Sequence, residues 1–101
     1  MTKGFSTFDA SEYIEDDEAA LAFLEDAMET NDAAFIASAI GDVARAKGMS
    51  AIAKETGMSR ESLYRALSGD GNPQLSTVLK VLDAMGLKLS VHATSKTSDA
   101  A

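Results

Sequence analysis

What the sequence lacks excludes several classes of protein. It contains no cysteine, one proline and one histidine. Without cysteine there can be no disulfide framework, thiolate metal site or thiol nucleophile, and a reducing compartment suits such a chain. No apolar run approaches the roughly 18 residues that cross a membrane, and the N-terminus lacks a signal-peptide pattern. We therefore expect a cytoplasmic protein with no membrane partner.

Residues of common catalytic and metal sites are equally scarce. His92 is the only histidine, and the sequence has no glycine-rich phosphate loop or cluster with metal-ligand spacing. Residues 15 to 18 are four consecutive acids, but neighbouring residues of a helix point in different directions and lack the spacing of an EF-hand loop. We predict that the protein is not an enzyme and binds neither a metal nor another cofactor.

Acidic and basic residues are segregated along the chain. Residues 1–42 hold eleven acids and one base, a net charge of −10, whereas residues 43–101 hold eight bases and five acids, a net charge of +3; together these give the overall charge of −7. This asymmetry predicts two surfaces with different partners. The alternative is that the acids only solvate the early helices.

Composition and periodicity predict an all-α fold within a single domain, residues 1–92. Alanine, leucine, glutamate, lysine and methionine favour helices, and helical spacing of apolar residues recurs over residues 16–31, 32–47 and 73–85. Asp16 or Asp17 is the expected N-cap of the first helix and Asp32 that of the second, with Gly48 as its stop. The first helix is expected to bury Leu21 and Leu24, and the last to bury Leu75, Val78, Leu79 and Leu82.

The segment "GMSAIAKETGMSRESLYRALSGDGNP", residues 48–73, has the spacing of a helix-turn-helix. Small Ala53 lets a second helix approach, Gly57 permits a left-handed turn, and apolar Met58 and Leu63 fix the crossing angle from beneath.

Ser50 is the expected cap of the first helix. In the second helix, the expected cap and the expected DNA-facing side chains are Ser59, Arg60, Glu61, Tyr64, Arg65 and Ser68. Ser50 and Lys54 are expected to hold phosphate. The alternative for Tyr64 is packing at the rim of the core.

After a "SGDGNP" loop, in which Asn72 and Pro73 are expected to begin the next helix, residues 87–93 alternate apolar and polar side chains. This pattern predicts a short β-strand. An unpaired apolar strand edge is unfavourable in water, so we predict a homodimer that pairs Leu87, Leu89 and Val91 with the same strand of a second copy. Residues 93–101 are predicted to be a disordered tail.

The runs "FDASEYIEDDEAALAFLEDAM", "IGDVARAKGMSAIAKETGMSRESLYRALSGDGNP" and "TVLKVLDAMGLKL" resemble bacterial addiction-module antidote proteins, HigA-like antitoxins with a Cro/repressor-type (XRE) helix-turn-helix. The resemblance covers roughly residues 5 to 92. It implies a five-helix, lambda-repressor-like DNA-binding domain that neutralises a RelE/ParE-like toxin and, as a dimer, represses its own operon through double-stranded operator DNA.

Such toxins are typically basic, so we expect the toxin to dock on the first acidic helix and the arm before it, which carries Phe5 and Phe8. The expected toxin-binding residues are Glu18, Phe23, Glu25, Asp26 and Glu29. The alternative for Phe23 is that it covers the domain's own core. A second function also remains open: a protein-interaction module or adaptor whose helix-turn-helix scaffold binds no DNA.

Overall fold

The computed structural model describes residues 16–94, and this part of the chain contains five helices and no β-strand. The expected apolar arm around Phe5 and Phe8 and the tail after residue 94 lie outside the described residues. The helices are α1 (Asp17–Met28), α2 (Ala33–Lys47), α3 (Met49–Thr56), α4 (Arg60–Ala66) and α5 (Leu75–Ala84). The prediction of an all-α fold is therefore confirmed.

Three of these helices begin at the residues that the sequence predicts as N-caps, and a side-chain oxygen caps the backbone at each. The Asp16 carboxylate accepts from the N–H of Ala19 at 2.8 Å, and that of Asp32 accepts from the N–H of Ala34 at 3.1 Å. Each cap satisfies a backbone donor that has no partner within the helix. Ser59 caps α4 in the same way, and Gly48 ends α2 as expected.

The core lies where α1 and α4 pack on α2 and where α3 packs on α2 and α5. The largest fully buried side chains are Ile40, Leu63, Val43 and Val81, and no residue in 16–94 buries a polar or charged side chain. At Gly41, a Cβ would lie 2.5 Å from the carbonyl oxygen of Leu67. Glycine at this position therefore allows α2 and the end of α4 to approach closely.

Two predicted helix starts are wrong. Gly48 is the N-cap of α3, so Ser50 lies inside that helix and caps nothing. The last helix begins at Leu75, with Gln74 as its N-cap, so Asn72 and Pro73 belong to the preceding loop. In both segments, residue types that favour a helix start occur at more than one position.

Three predicted core leucines are largely exposed: Leu21 at 45%, Leu75 at 66% and Leu79 at 46%. Helical spacing gives the direction of a side chain but not how far the neighbouring helix extends over it. Leu24 and Leu82 on the same helices are buried, as expected.

The predicted strand at residues 87–93 is not seen, because residues 87–94 adopt no regular secondary structure. Gly86, at φ +78°, ends α5, and the N–H of Leu87 returns to the carbonyl of Leu82 at 2.8 Å. Leu87 then packs against the core, whereas Val91 is 97% exposed. A strand needs a second extended segment with which to exchange backbone hydrogen bonds, and residues 16–94 provide none.

Candidate nucleic-acid and partner surfaces

Helices α3 and α4 are joined by the turn that the sequence predicts. Gly57 adopts the left-handed conformation at φ +77°, and the N–H of Met58 donates to the carbonyl of Ala53 at 3.1 Å. Ala53 is buried between the helices, and Leu63 of α4 is completely buried beneath them. These contacts fix α4 on the domain with one face toward solvent.

The solvent-facing side of α4 carries Arg60, Glu61, Tyr64 and Arg65, all exposed. The guanidinium of Arg60 lies over the Tyr64 ring at 5.7 Å from its centroid, a cation–π contact that holds both side chains on the outer face. Tyr64 is 40% exposed. This face combines two guanidinium groups, a tyrosine hydroxyl and a carboxylate, all of which can form hydrogen bonds, and arginine and glutamate are known partners of base edges.

Ser59 and Ser68, both predicted to contact DNA, already make hydrogen bonds within the domain. The Ser59 hydroxyl oxygen accepts from the N–H of Ser62 at 3.0 Å, and its O–H lies 3.0 Å from the Ser62 hydroxyl. The Ser68 hydroxyl donates to the carbonyl of Arg65 at 3.0 Å. Both residues shape the ends of α4.

On α3, Ser50 and Lys54 are exposed and one helical turn apart, so they share a face.

Behind α4, the loop packs tightly: a Cβ at Gly71 would lie 2.3 Å from the carbonyl oxygen of Ala66 and 2.5 Å from that of Arg65. Nothing lies within 4 Å of a Cβ at Gly69 in the same loop. Gly71 therefore helps to set the position of the C-terminal end of α4.

Helix α1 carries the second candidate surface, which is acidic. Glu18, Glu25, Asp26 and Glu29 are all exposed, and α1 contains no basic residue. Asp17 forms an ion pair with Lys47, which joins the start of α1 to the end of α2. Phe23, the predicted apolar toxin contact, is half-buried against the core. Its burial agrees with the alternative that it covers the domain's own core.

A groove that the sequence did not predict runs between α1 and residues 87–92. Its volume is about 610 Å³, and its apolar lining is contributed by Leu21, Leu24, Met28, Leu82, Leu87 and Leu89. Leu21 lies three residues after Glu18 and four before Glu25. Its neighbours one helical turn away on each side are therefore charged, a pattern that indicates a solvent-facing position. The opposite wall depends on the backbone path after Gly86, where the alternating pattern of residues 87–93 predicted a strand instead.

Within residues 16–94, no group of three acidic or histidine side chains is arranged to hold a metal ion. Over the same range, no helix is both long and apolar enough to cross a membrane.

Comparison with known proteins identifies the family. Residues 4–93 match the model of the family described as "Probable addiction module antidote protein". An uncharacterized protein of Haemophilus influenzae is 43% identical over 92 residues, which cover 91% of this chain and 95% of that protein. No solved structure matches the chain. The chain belongs to the family of probable addiction module antidote proteins.

Proposed function

We propose that the protein is the antitoxin of a type II toxin-antitoxin module, which binds and neutralises a RelE/ParE-like toxin and represses its own operon as a homodimer. Membership of the antidote family supports a toxin partner. The finer roles are proposed from the two surfaces. The observation that carries the DNA-binding role is the outer face of α4, where Arg60, Tyr64 and Arg65 are exposed together.

In this proposal α4 is the recognition helix and enters the major groove. An arginine there can donate two hydrogen bonds to guanine, and a glutamate can accept one from cytosine, so Arg60, Arg65 and Glu61 would read bases. Ser50 and Lys54 on α3 would contact phosphates and set the register. The net charge of −7 does not prevent this, because salt screens charges beyond about 8 Å.

The acidic face of α1 would bind the toxin. A cationic partner gains a faster and better oriented encounter from an opposite field, and Glu18, Glu25, Asp26 and Glu29 provide it. In the homodimer, Val91, which is 97% exposed and does not line the groove beside α1, would contact a second copy. A two-fold dimer presents two recognition helices about 34 Å apart, which suits a pseudo-palindromic operator.

Two assays on the full-length protein test this proposal. In a gel shift, the protein should retard the DNA upstream of its own gene at concentrations that leave a scrambled duplex of equal length free. In a co-expression assay, it should restore growth of cells that express the protein encoded beside it. Growth rescue without retardation would favour the protein-interaction module, and retardation without rescue would leave a repressor that is not this neighbour's antidote.

A further inference from the structure

We infer that the groove between α1 and residues 87–92 is the anchoring site for the toxin, and that it takes an apolar side chain from a cationic segment of that protein. This inference rests on the proposed antitoxin function and names the surface and the kind of partner that it fits. It differs from the sequence-based expectation, in which Phe23 was the apolar contact.

Among residues 16–94, the apolar part of the groove is open to solvent. Leu21 on α1 is 45% exposed and Leu89 on the opposite wall is 37% exposed, while Leu24 and Leu82 between them are buried. A concave surface of about 610 Å³ with this lining can cover an apolar side chain on several sides. Removing the exposed surfaces of Leu21 and Leu89 from water favours binding.

Carboxylates border the groove on its α1 side. Glu25, Asp26 and Glu29 line it, and none of the three forms an ion pair with another residue of the 16–94 segment. The opposite wall carries one lysine, Lys88. Three acids against one base leave the rim negative, so the complementary segment has lysine or arginine next to the side chain that enters the groove.

A second copy of this chain fits the groove less well than a cationic partner. Each copy carries a net charge of −7 and would bring its own acidic α1 toward that of the other copy. One lysine per copy would face three carboxylates, so most of these acids would lose water without gaining a partner. A cationic protein satisfies the same acids directly.

The test measures affinity for the purified protein encoded beside this gene, by calorimetry with the full-length chain. Leu21→Gln removes an apolar contact on α1, outside the segment predicted to pair in the dimer, and should weaken binding about tenfold. Leu75→Gln, the matched control, removes a more exposed leucine of α5 that does not line the groove, and should leave affinity unchanged. Lys88→Glu makes the rim more acidic and should strengthen binding about twofold to fivefold at low salt.

Each other outcome has a definite meaning. If the wild-type chain does not bind the neighbour's product, the proposed function fails and this inference fails with it. If the wild type binds, but Leu21→Gln binds equally well or Lys88→Glu binds more weakly, the groove assignment is overturned and the antitoxin function stands. A Leu21→Gln chain that becomes monomeric in light scattering with unchanged affinity would assign the groove to a second copy. If amide exchange at residues 21–31 is faster in the free full-length Phe8→Ser variant than in the free wild type, the groove is assigned to the N-terminal arm.

Discussion

Helices α1 and α4 both begin with a side-chain oxygen that caps the backbone and both pack on α2, but their solvent faces differ. The exposed face of α1 carries only acids among its charged residues, beside an apolar groove, whereas that of α4 carries two arginines, a glutamate and a tyrosine. Two helices with the same kind of cap and the same packing partner therefore present different exposed residues, and each surface can be altered separately.

The largest expected effect is that of a substitution at Gly71, in the loop behind α4, which should change operator binding but not toxin binding. Gly71→Ala places a Cβ against the carbonyl oxygens of Ala66 and Arg65, so the end of α4 must shift, at a cost of about 1–3 kcal/mol in unfolding free energy. Urea unfolding measures the loss of stability. Operator affinity, measured by gel shift, should fall strongly, while toxin affinity, measured by calorimetry, is retained. Gly69→Ala, the matched control, meets no atom within 4 Å and should behave as wild type. Equal effects at the two glycines would contradict the role of Gly71.

The next effect concerns base readout by α4. Arg65→Ala should weaken operator binding by about 1–3 kcal/mol, because a bidentate arginine–guanine contact is lost. Lys54→Ala removes a phosphate contact instead and should weaken operator and random duplex alike. Fluorescence anisotropy with both duplexes at fixed salt distinguishes the two. An equal loss on both duplexes for Arg65→Ala would exclude base readout by this residue.

A smaller effect is expected on the acidic surface. Glu25→Lys and Glu29→Lys, each alone, should weaken toxin binding about fivefold at low salt, because an attraction between exposed charges becomes a repulsion. Asp83→Lys makes the same change in net charge on α5, at a residue that does not line the groove, and should have little effect on toxin affinity. Surface plasmon resonance at two salt concentrations provides the measurement. Matching losses at all three positions would indicate a general field rather than a docking surface.

The smallest effects concern the helix caps. Asp16→Ala and Ser59→Ala should each lower the unfolding free energy by about 1 kcal/mol in urea, because each removes a capping oxygen. Ser59→Ala should also weaken operator binding, since it loosens the start of α4. Ser50→Ala should not destabilise the protein, because Ser50 lies inside α3 and alanine favours a helix by a few tenths of a kcal/mol. A destabilised Ser50→Ala chain would restore Ser50 as a cap.

Sequence reasoning predicted the features that depend on local chemistry. Asp32 as a cap, Gly48 as a stop and Gly57 as the left-handed turn residue each depend on backbone preferences that a few neighbouring residues determine. The same reasoning gave the exposed residues of α4, because buried Leu63 and Leu67 define the opposite face of that helix.

Features that depend on distant parts of the chain were not predictable in this way. Exposed Leu75 and Leu79 have the spacing of core residues, but packing leaves them uncovered. Residues 87–93 alternate like a strand, but a strand also requires a pairing partner. The groove combines both problems, because it depends on how α1 and the segment after Gly86 are placed in space.

The entirely apolar core of residues 16–94 has a consequence for how such proteins diverge. A buried polar group constrains its neighbours, because every change must preserve its hydrogen bonds, whereas an apolar core accepts substitutions that conserve volume. Mutations on α1 or α4 therefore meet no buried polar network that they could disrupt. Related genes can exchange one partner specificity for another while inheriting the same interior, so duplicated copies in one genome can separate into modules that do not cross-react.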